Sequence, residues 1–134
     1  MTRTAAAAGT RRYTGTFPAE PGQVRRARAA LGGWLDGWPR ADEAILVCSE
    51  FATNSVVHSA SRDGGAFTLR AEVRPDRLLI EVEDAGGPWR DGPRDDGRPH
   101  GFHVVAAMAG PGNWGIDGDI GGRVAWARLG GLDA

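Results

Sequence analysis

The sequence predicts a two-layer α+β sandwich in which an antiparallel sheet is covered by helices on one face. Three observations carry this. Apolar residues recur at helical spacing over residues 21–35 and 41–59. Residues 67–73 and 78–84 alternate apolar and polar, giving each strand one dry and one wet face, the mark of an antiparallel sheet covered on one side. A chain of 134 residues, 41% hydrophobic and 25% charged, suits one domain with one core.

The elements follow in order. Residues 1–11 read as a disordered tail: the run MTRTAAAAGTRR lacks the apolar h-region of a signal peptide. The domain then occupies 12–134. Arg12 to Phe17 forms a short strand ending at Pro18. Pro21 opens a helix to about Leu35, with Val24, Ala27, Leu31, Trp34 and Leu35 on one face, and Gly37-Trp38-Pro39 breaks it. The second helix runs from about Ala41 to Ser59, its N-terminus favoured by Asp42 and Glu43 through the helix dipole. Asp63-Gly64-Gly65 turns the chain into a strand with Phe67, Leu69, Ala71 and Val73 inward. Arg74-Pro75-Asp76-Arg77 makes a hairpin turn into a strand with Leu78, Ile80 and Val82 inward. Residues 85–100 are a long loop rich in Gly, Pro and charge. A short helix, Phe102 to Ala109, precedes two closing strands near Gly112 to Asp117 and Arg123 to Leu129.

Composition narrows the function. A net charge of −1 gives no electrostatic footprint for nucleic acid. No apolar run approaches the ~20 residues that span a bilayer. A single cysteine, Cys48, makes no internal disulfide, which points to a cytoplasmic, reducing compartment, and its place in an apolar run makes it a small buried hydrophobe. All 16 basic residues are arginine, so a Walker A lysine and a Schiff base are both excluded. The abundance of Ala, Gly and Arg suggests a GC-rich bacterial genome.

Two constellations remain. Within the greasy second helix, Glu50, Asn54 and His58 are spaced four residues apart and form one stripe. The helix is otherwise apolar nearly all round, which reads as buried, and a buried carboxylate beside a buried amide needs partners. Asn54 offers a hard amide oxygen suited to Mg²⁺, and Glu50 is placed to act as a base near a terminal phosphate. Asp84 shares the parity of Leu78, Ile80 and Val82, so it points to the helix-covered face, and Gly86 lets a ligand approach the backbone closely. Asp84 also suits a simple strand-end turn, and taken alone both readings stand. Gly101, at the start of the short helix, offers backbone N–H groups to a phosphate or serves only as a cap. A zinc site from His58, His100 and His103 has no cysteine nearby to support it.

In this order the residues resemble a known family. Glu50-x-x-x-Asn54-x-x-x-His58, then Asp84-x-Gly86, then the loop and helix at Gly101, follow the N, G1 and G2 boxes of the histidine-kinase-like (GHKL, Bergerat-fold) ATPases. Within them SEFATNSVVHS is similar to the SELVTNAVxH pattern of the bacterial anti-sigma-factor serine/threonine kinases, and Asn113-Trp114-Gly115 and Val124-Ala125-Trp126 resemble their closing strands.

The resemblance implies a mixed, mostly antiparallel sheet backed by helices. It implies ATP as ligand, with Asn54 binding Mg²⁺ at the phosphates, Glu50 as catalytic base, Asp84 and Gly86 at the adenine, and His58 and Gly101 near the nucleotide. Residues 87–100 would be the ATP lid. The partners it implies are a sigma factor and a STAS-type anti-anti-sigma protein, the latter phosphorylated on serine, and a homodimer is the implied assembly. The G2 box departs from Gly-Arg-Gly-Leu: either Pro99-His100-Gly101-Phe102 stands there, or Gly97-Arg98 is its first half with Pro99-His100 inserted, and proline has no N–H for a phosphate. That leaves a second reading, a non-catalytic regulator, nucleotide-bound or nucleotide-free, that binds its partner.

Overall fold

The computed structural model describes residues 9–58, 64–86, 102–119 and 122–130. Residues 1–8 of the tail expected over 1–11, and the expected lid at residues 87–100, lie outside them; the end of that tail is corrected, because Arg11 already opens a strand and pairs with Val73. Among the described residues, β1 (Arg11–Pro18), α1 (Pro21–Trp34), α2 (Ala41–His58), β2 (Ala66–Val73), β3 (Arg77–Asp84), α3 (Phe102–Ala109), β4 (Trp114–Asp119) and β5 (Gly122–Gly130) follow in sequence.

The five strands form one sheet in the order β1-β2-β3-β5-β4. Every pairing among them is antiparallel. The mixed sheet that the family resemblance implies is therefore antiparallel throughout in the described part. The reason is topological. β4 runs in the direction of β3, but β5 lies between them and converts a parallel neighbour into two antiparallel ones.

One face of the sheet carries Phe67, Leu69, Ala71, Val73, Leu78, Ile80, Val82, Ala127 and Leu129, all buried. The helices close over it with Ala27 and Leu31 from α1, Ala44, Val47, Cys48, Phe51, Ala52 and Val56 from α2, and Val105 from α3. Side-chain alternation in the strands sorts these residues from the wet face. On that wet face Arg70 pairs with Glu81 at 3.1 Å and Glu83 at 2.9 Å, half-exposed contacts of small energetic weight. Burial pushes the Cys48 thiol up to about 12, so it stays a neutral core group near pH 7. No helix among the described residues is long and apolar enough to cross a membrane.

Arg40, in the turn between α1 and α2, ties the layers together. Its guanidinium donates to the Gly130 carbonyl at 3.0 Å and the Met108 carbonyl at 2.7 Å, and it pairs with Glu43. One side chain thus pins the ends of β5 and α3 to the start of α2. Arg40→Ala is expected to lower stability by about 2–3 kcal/mol, since bonds from a charged donor to half-buried carbonyls are lost. Urea unfolding should give a lower midpoint at unchanged slope.

Candidate functional site

The site begins on α2. Its first turn carries Asp42 and Glu43, and its core face carries Ala44, Val47, Cys48, Phe51, Ala52 and Val56. The expectation of a helix buried all round is corrected: Leu46 is 41% and Val57 42% exposed. α2 packs against α1, α3 and the sheet, and its remaining side meets solvent.

The polar stripe is graded as a result. A step of four residues overshoots a full turn by about 40°, so the stripe winds around the helix toward the core. Glu50 sits half-buried at the rim, whereas Asn54, one turn on, is only 5% exposed. Glu50 was expected to be buried; its carboxylate keeps access to water. His58 closes α2, and its side chain lies outside the described residues, as do Gly101, Pro99 and His100.

Asp84 is the last residue of β3, and its side chain is 6% exposed on the helix-covered face. The hydroxyl of Ser55, the residue after Asn54, donates to Asp84 Oδ2 at 2.7 Å. The backbone N–H of Gly86 donates to Oδ1 at 2.7 Å, which closes a small Asx turn. Gly86 has φ +74°, a left-handed conformation that favours glycine. The turn reading and the inward-carboxylate reading of Asp84 therefore hold together, in the same residue.

A further charged group faces it. Asp84 and Arg123 are directly opposite in the β3–β5 pairing. Arg123 Nη2 lies 3.7 Å from Asp84 Oδ1, with side chains 8% and 6% exposed. Burial pulls the Arg123 pKa down, and the Asp84 charge opposes that fall. Neither Ser55 nor Arg123 was marked by the sequence pattern. Ser55 hides beside Asn54. Arg123 shares the inward parity of Ala125, Ala127 and Leu129, a usable signal that an arginine normally contradicts.

The start of α3 is held beside the same turn of α2. The Phe102 ring packs edge-on against Phe51 at 6.3 Å and against Trp114 at 5.5 Å. Phe51 directly follows Glu50, so α3 begins near the Glu50 turn while Asp84 attaches one turn further along. The fold thus gathers Glu50, Asn54, Ser55, Asp84, Gly86 and Arg123 from α2, β3 and β5 at one end of the sheet. Carboxylate oxygens, a guanidinium that only donates and an amide that both donates and accepts make this end suited to a polar ligand.

Comparison with known proteins adds two findings. Residues 17–122 match the family described as "Histidine kinase-like ATPase domain". A solved structure from Mycobacterium tuberculosis, described as the RsbU and RsbW domains of Rv1364c, superposes with a TM-score of 0.70 at 22% identity over 88% of this chain. This chain spans 32% of that one, and at such identity the likeness speaks for the fold. No curated protein matches significantly.

Proposed function

Because the chain belongs to the histidine kinase-like ATPase domain family, we propose that it is an ATP-binding regulator of the anti-sigma-factor type, with serine/threonine kinase activity toward a small anti-anti-sigma partner. The observation that carries the reading is the 2.7 Å bond from Ser55 to Asp84. It ties the helix turn bearing Asn54 to the strand end bearing Asp84 and Gly86. A nucleotide then has a base end at Asp84 and a phosphate end at Asn54.

Each residue has a role in this reading. Asp84 accepts a hydrogen bond from the adenine amino group, and Gly86, with no Cβ, lets the ring lie against the backbone. Asn54 would hold Mg²⁺ through its amide oxygen. Among the described residues no three His, Cys, Asp or Glu cluster to hold a metal, so its other ligands would be phosphate oxygens and water, the usual habit of Mg²⁺. Bound there, the ion neutralises phosphate charge. Glu50, at the rim, takes the proton from a substrate serine hydroxyl as its oxygen attacks the γ-phosphorus and ADP leaves. The rim position supports this, since the partner's serine has to reach the base from outside. The family resemblance assigns His58 and Gly101 to the nucleotide as well. The sequence resemblance to anti-sigma-factor kinases, beside a solved structure that includes an RsbW domain, supports a sigma factor and a STAS-type protein as partners. A cytoplasmic homodimer fits the same reading.

The second reading, a partner-binding regulator without catalysis, is favoured by Pro99 in the phosphate loop. Calorimetric titration with ATP, with and without Mg²⁺, tests the first. Magnesium-dependent binding is expected, and its absence would leave the second. Asn54→Ala is expected to weaken Mg-ATP at least about tenfold, with little change for metal-free ATP, in keeping with one lost metal ligand. Unchanged affinity would sink the metal assignment.

A further inference from the structure

We propose that the open face of the sheet seats a second copy of this chain, about a two-fold axis that lies between the two sheets and runs across the strands. The proposal deepens the homodimer of the reading above by naming its surface and its axis, and it rests on that reading for the presence of two copies.

The described helices all pack on the inner face of the sheet. On the outer face, register sets Leu79 level with Glu72 and Arg128, Glu81 level with Arg70 and Trp126, and Glu83 level with Val124 and, beyond it, Asp117. All of these are at least partly exposed. Charge is graded along the strands. At one end Arg12 and Arg74 share Glu72, and Arg77 and Arg128 stand exposed beside them. At the other end Glu81 and Glu83 share Arg70, and Asp117 adds a further carboxylate. One end of the face is therefore net positive and the other net negative. Between them Leu79, Val124 and Trp126 form an apolar centre that is no part of the core. The Trp126 ring lies over Gly115, where a Cβ would come within 3.0 Å of it, and the Arg128 guanidinium lies 4.9 Å from the ring centroid. An aromatic centre ringed by charge is the common plan of a protein interface.

The gradient makes the face complementary to itself. In a two-fold dimer the same patch meets its own copy. An axis along the strands would set arginine end against arginine end. An axis across the strands sets each arginine end against the carboxylate end of the other copy, with Arg77 of one above Glu83 of the other. Face-to-face sheets of this kind interdigitate their side chains, and a depression of about 390 Å³ beside Arg70, Glu72, Leu79 and Glu81 gives them a seat. Five strands, the longer ones of eight or nine residues, make a face of roughly 24 by 26 Å. Two such faces bury roughly 1,200 Å², the lower end of the range for specific interfaces. The helical layers then point away from each other, so Glu50 and the Asp84 corner of both copies stay uncovered.

Sedimentation equilibrium of the full chain tests the surface. The wild type is expected to weigh two copies at roughly 100 µM, since interfaces that hold proteins together bind at micromolar strength or tighter. Arg77→Glu places a carboxylate against a carboxylate and is expected to weaken self-association at least about tenfold. Trp126→Ala empties the centre and is expected to do the same, with its fold checked by circular dichroism. Arg77 is exposed, so the first variant keeps the test decisive if the second fails to fold. A wild type that stays monomeric overturns the proposal, and so does a dimer that neither substitution weakens.

Cross-linking tests the axis. Arg77→Cys and Glu83→Cys are made singly and treated with a short bis-maleimide, while Cys48 stays silent in the core. Across the strands, each introduced thiol lies roughly 20 Å from its own copy and close to the other kind. Cross-linked pairs are expected from the mixture and not from either variant alone. Linking within each variant alone overturns the axis. Calorimetry with Mg-ATP separates this proposal from the nucleotide reading. Arg77→Glu is expected to keep ATP affinity within about twofold. A monomeric wild type that binds ATP overturns the shared surface and leaves the nucleotide reading, whereas a dimer on this face that binds no ATP does the reverse.

Discussion

Asp84→Ala is expected to lose about 3–5 kcal/mol of stability and all measurable nucleotide binding. The stability loss follows from what Asp84 touches. Its carboxylate faces the buried Arg123 guanidinium, and removing one member of a buried ion pair takes away a charge the other is buried against. The Ser55 hydroxyl and the Gly86 N–H lose their acceptor at the same time. Asp84→Asn is the milder control. It keeps the shape and one acceptor oxygen and removes the charge, so its cost should fall between wild type and alanine. Urea unfolding measures the stability and calorimetry the binding. An alanine variant as stable as wild type would show that Arg123 draws no support from Asp84. Full ATP affinity in it would remove Asp84 from the base subsite.

Glu50→Ala should behave in the opposite way. The side chain sits at the rim of α2, so stability is expected to change by no more than about 0.5 kcal/mol. Phosphotransfer to a purified partner should fall by about 10²–10⁴-fold, the contribution of a positioned general base. Affinity for Mg-ATP and for the partner should persist. Label transfer from γ-labelled ATP gives the rate, and calorimetry gives the two affinities. A variant that phosphorylates at the wild-type rate would take Glu50 out of the base role. The two substitutions together separate a residue that builds the site from one that acts in it.

Much of the fold was legible because each element carries a strong local period. α3 has the expected bounds, and α1, α2, β2 and β3 differ from them by a residue or so. β4 was expected from Gly112 and begins at Trp114. Gly110 and Gly112 both have positive φ, 87° and 77°, and the Asn113 side chain donates back to the Ala109 carbonyl at 3.2 Å. The turn after α3 therefore takes up residues that alternation alone assigns to the strand. In the site, parity placed Asp84 on the covered face, because a strand has only two faces. Periodicity did less well for Glu50, since a four-residue spacing is not a whole turn and the stripe leaves the rim only at Asn54. The partners of Ser55 and Arg123 were illegible for another reason, even though parity places Arg123 inward. Their significance is a contact with a residue 29 positions away in one case and on a neighbouring strand in the other, and no local period encodes that.

The strand order has a consequence for how the chain is made. β5 is the last described strand to be synthesised, yet it pairs on one side with β3 and on the other with β4. A nascent chain that has emerged only as far as α3 holds β1, β2 and β3 with the inner edge of β3 bare. Such an edge invites pairing with another chain. The helical layer can collapse early on local contacts, but the sheet closes only after residues 122–130 leave the ribosome, and the Asp84–Arg123 pair forms with it. The Asp84–Arg123 corner therefore assembles only once β5 has emerged, and a chain stopped before residue 122 carries an open sheet edge in place of that corner.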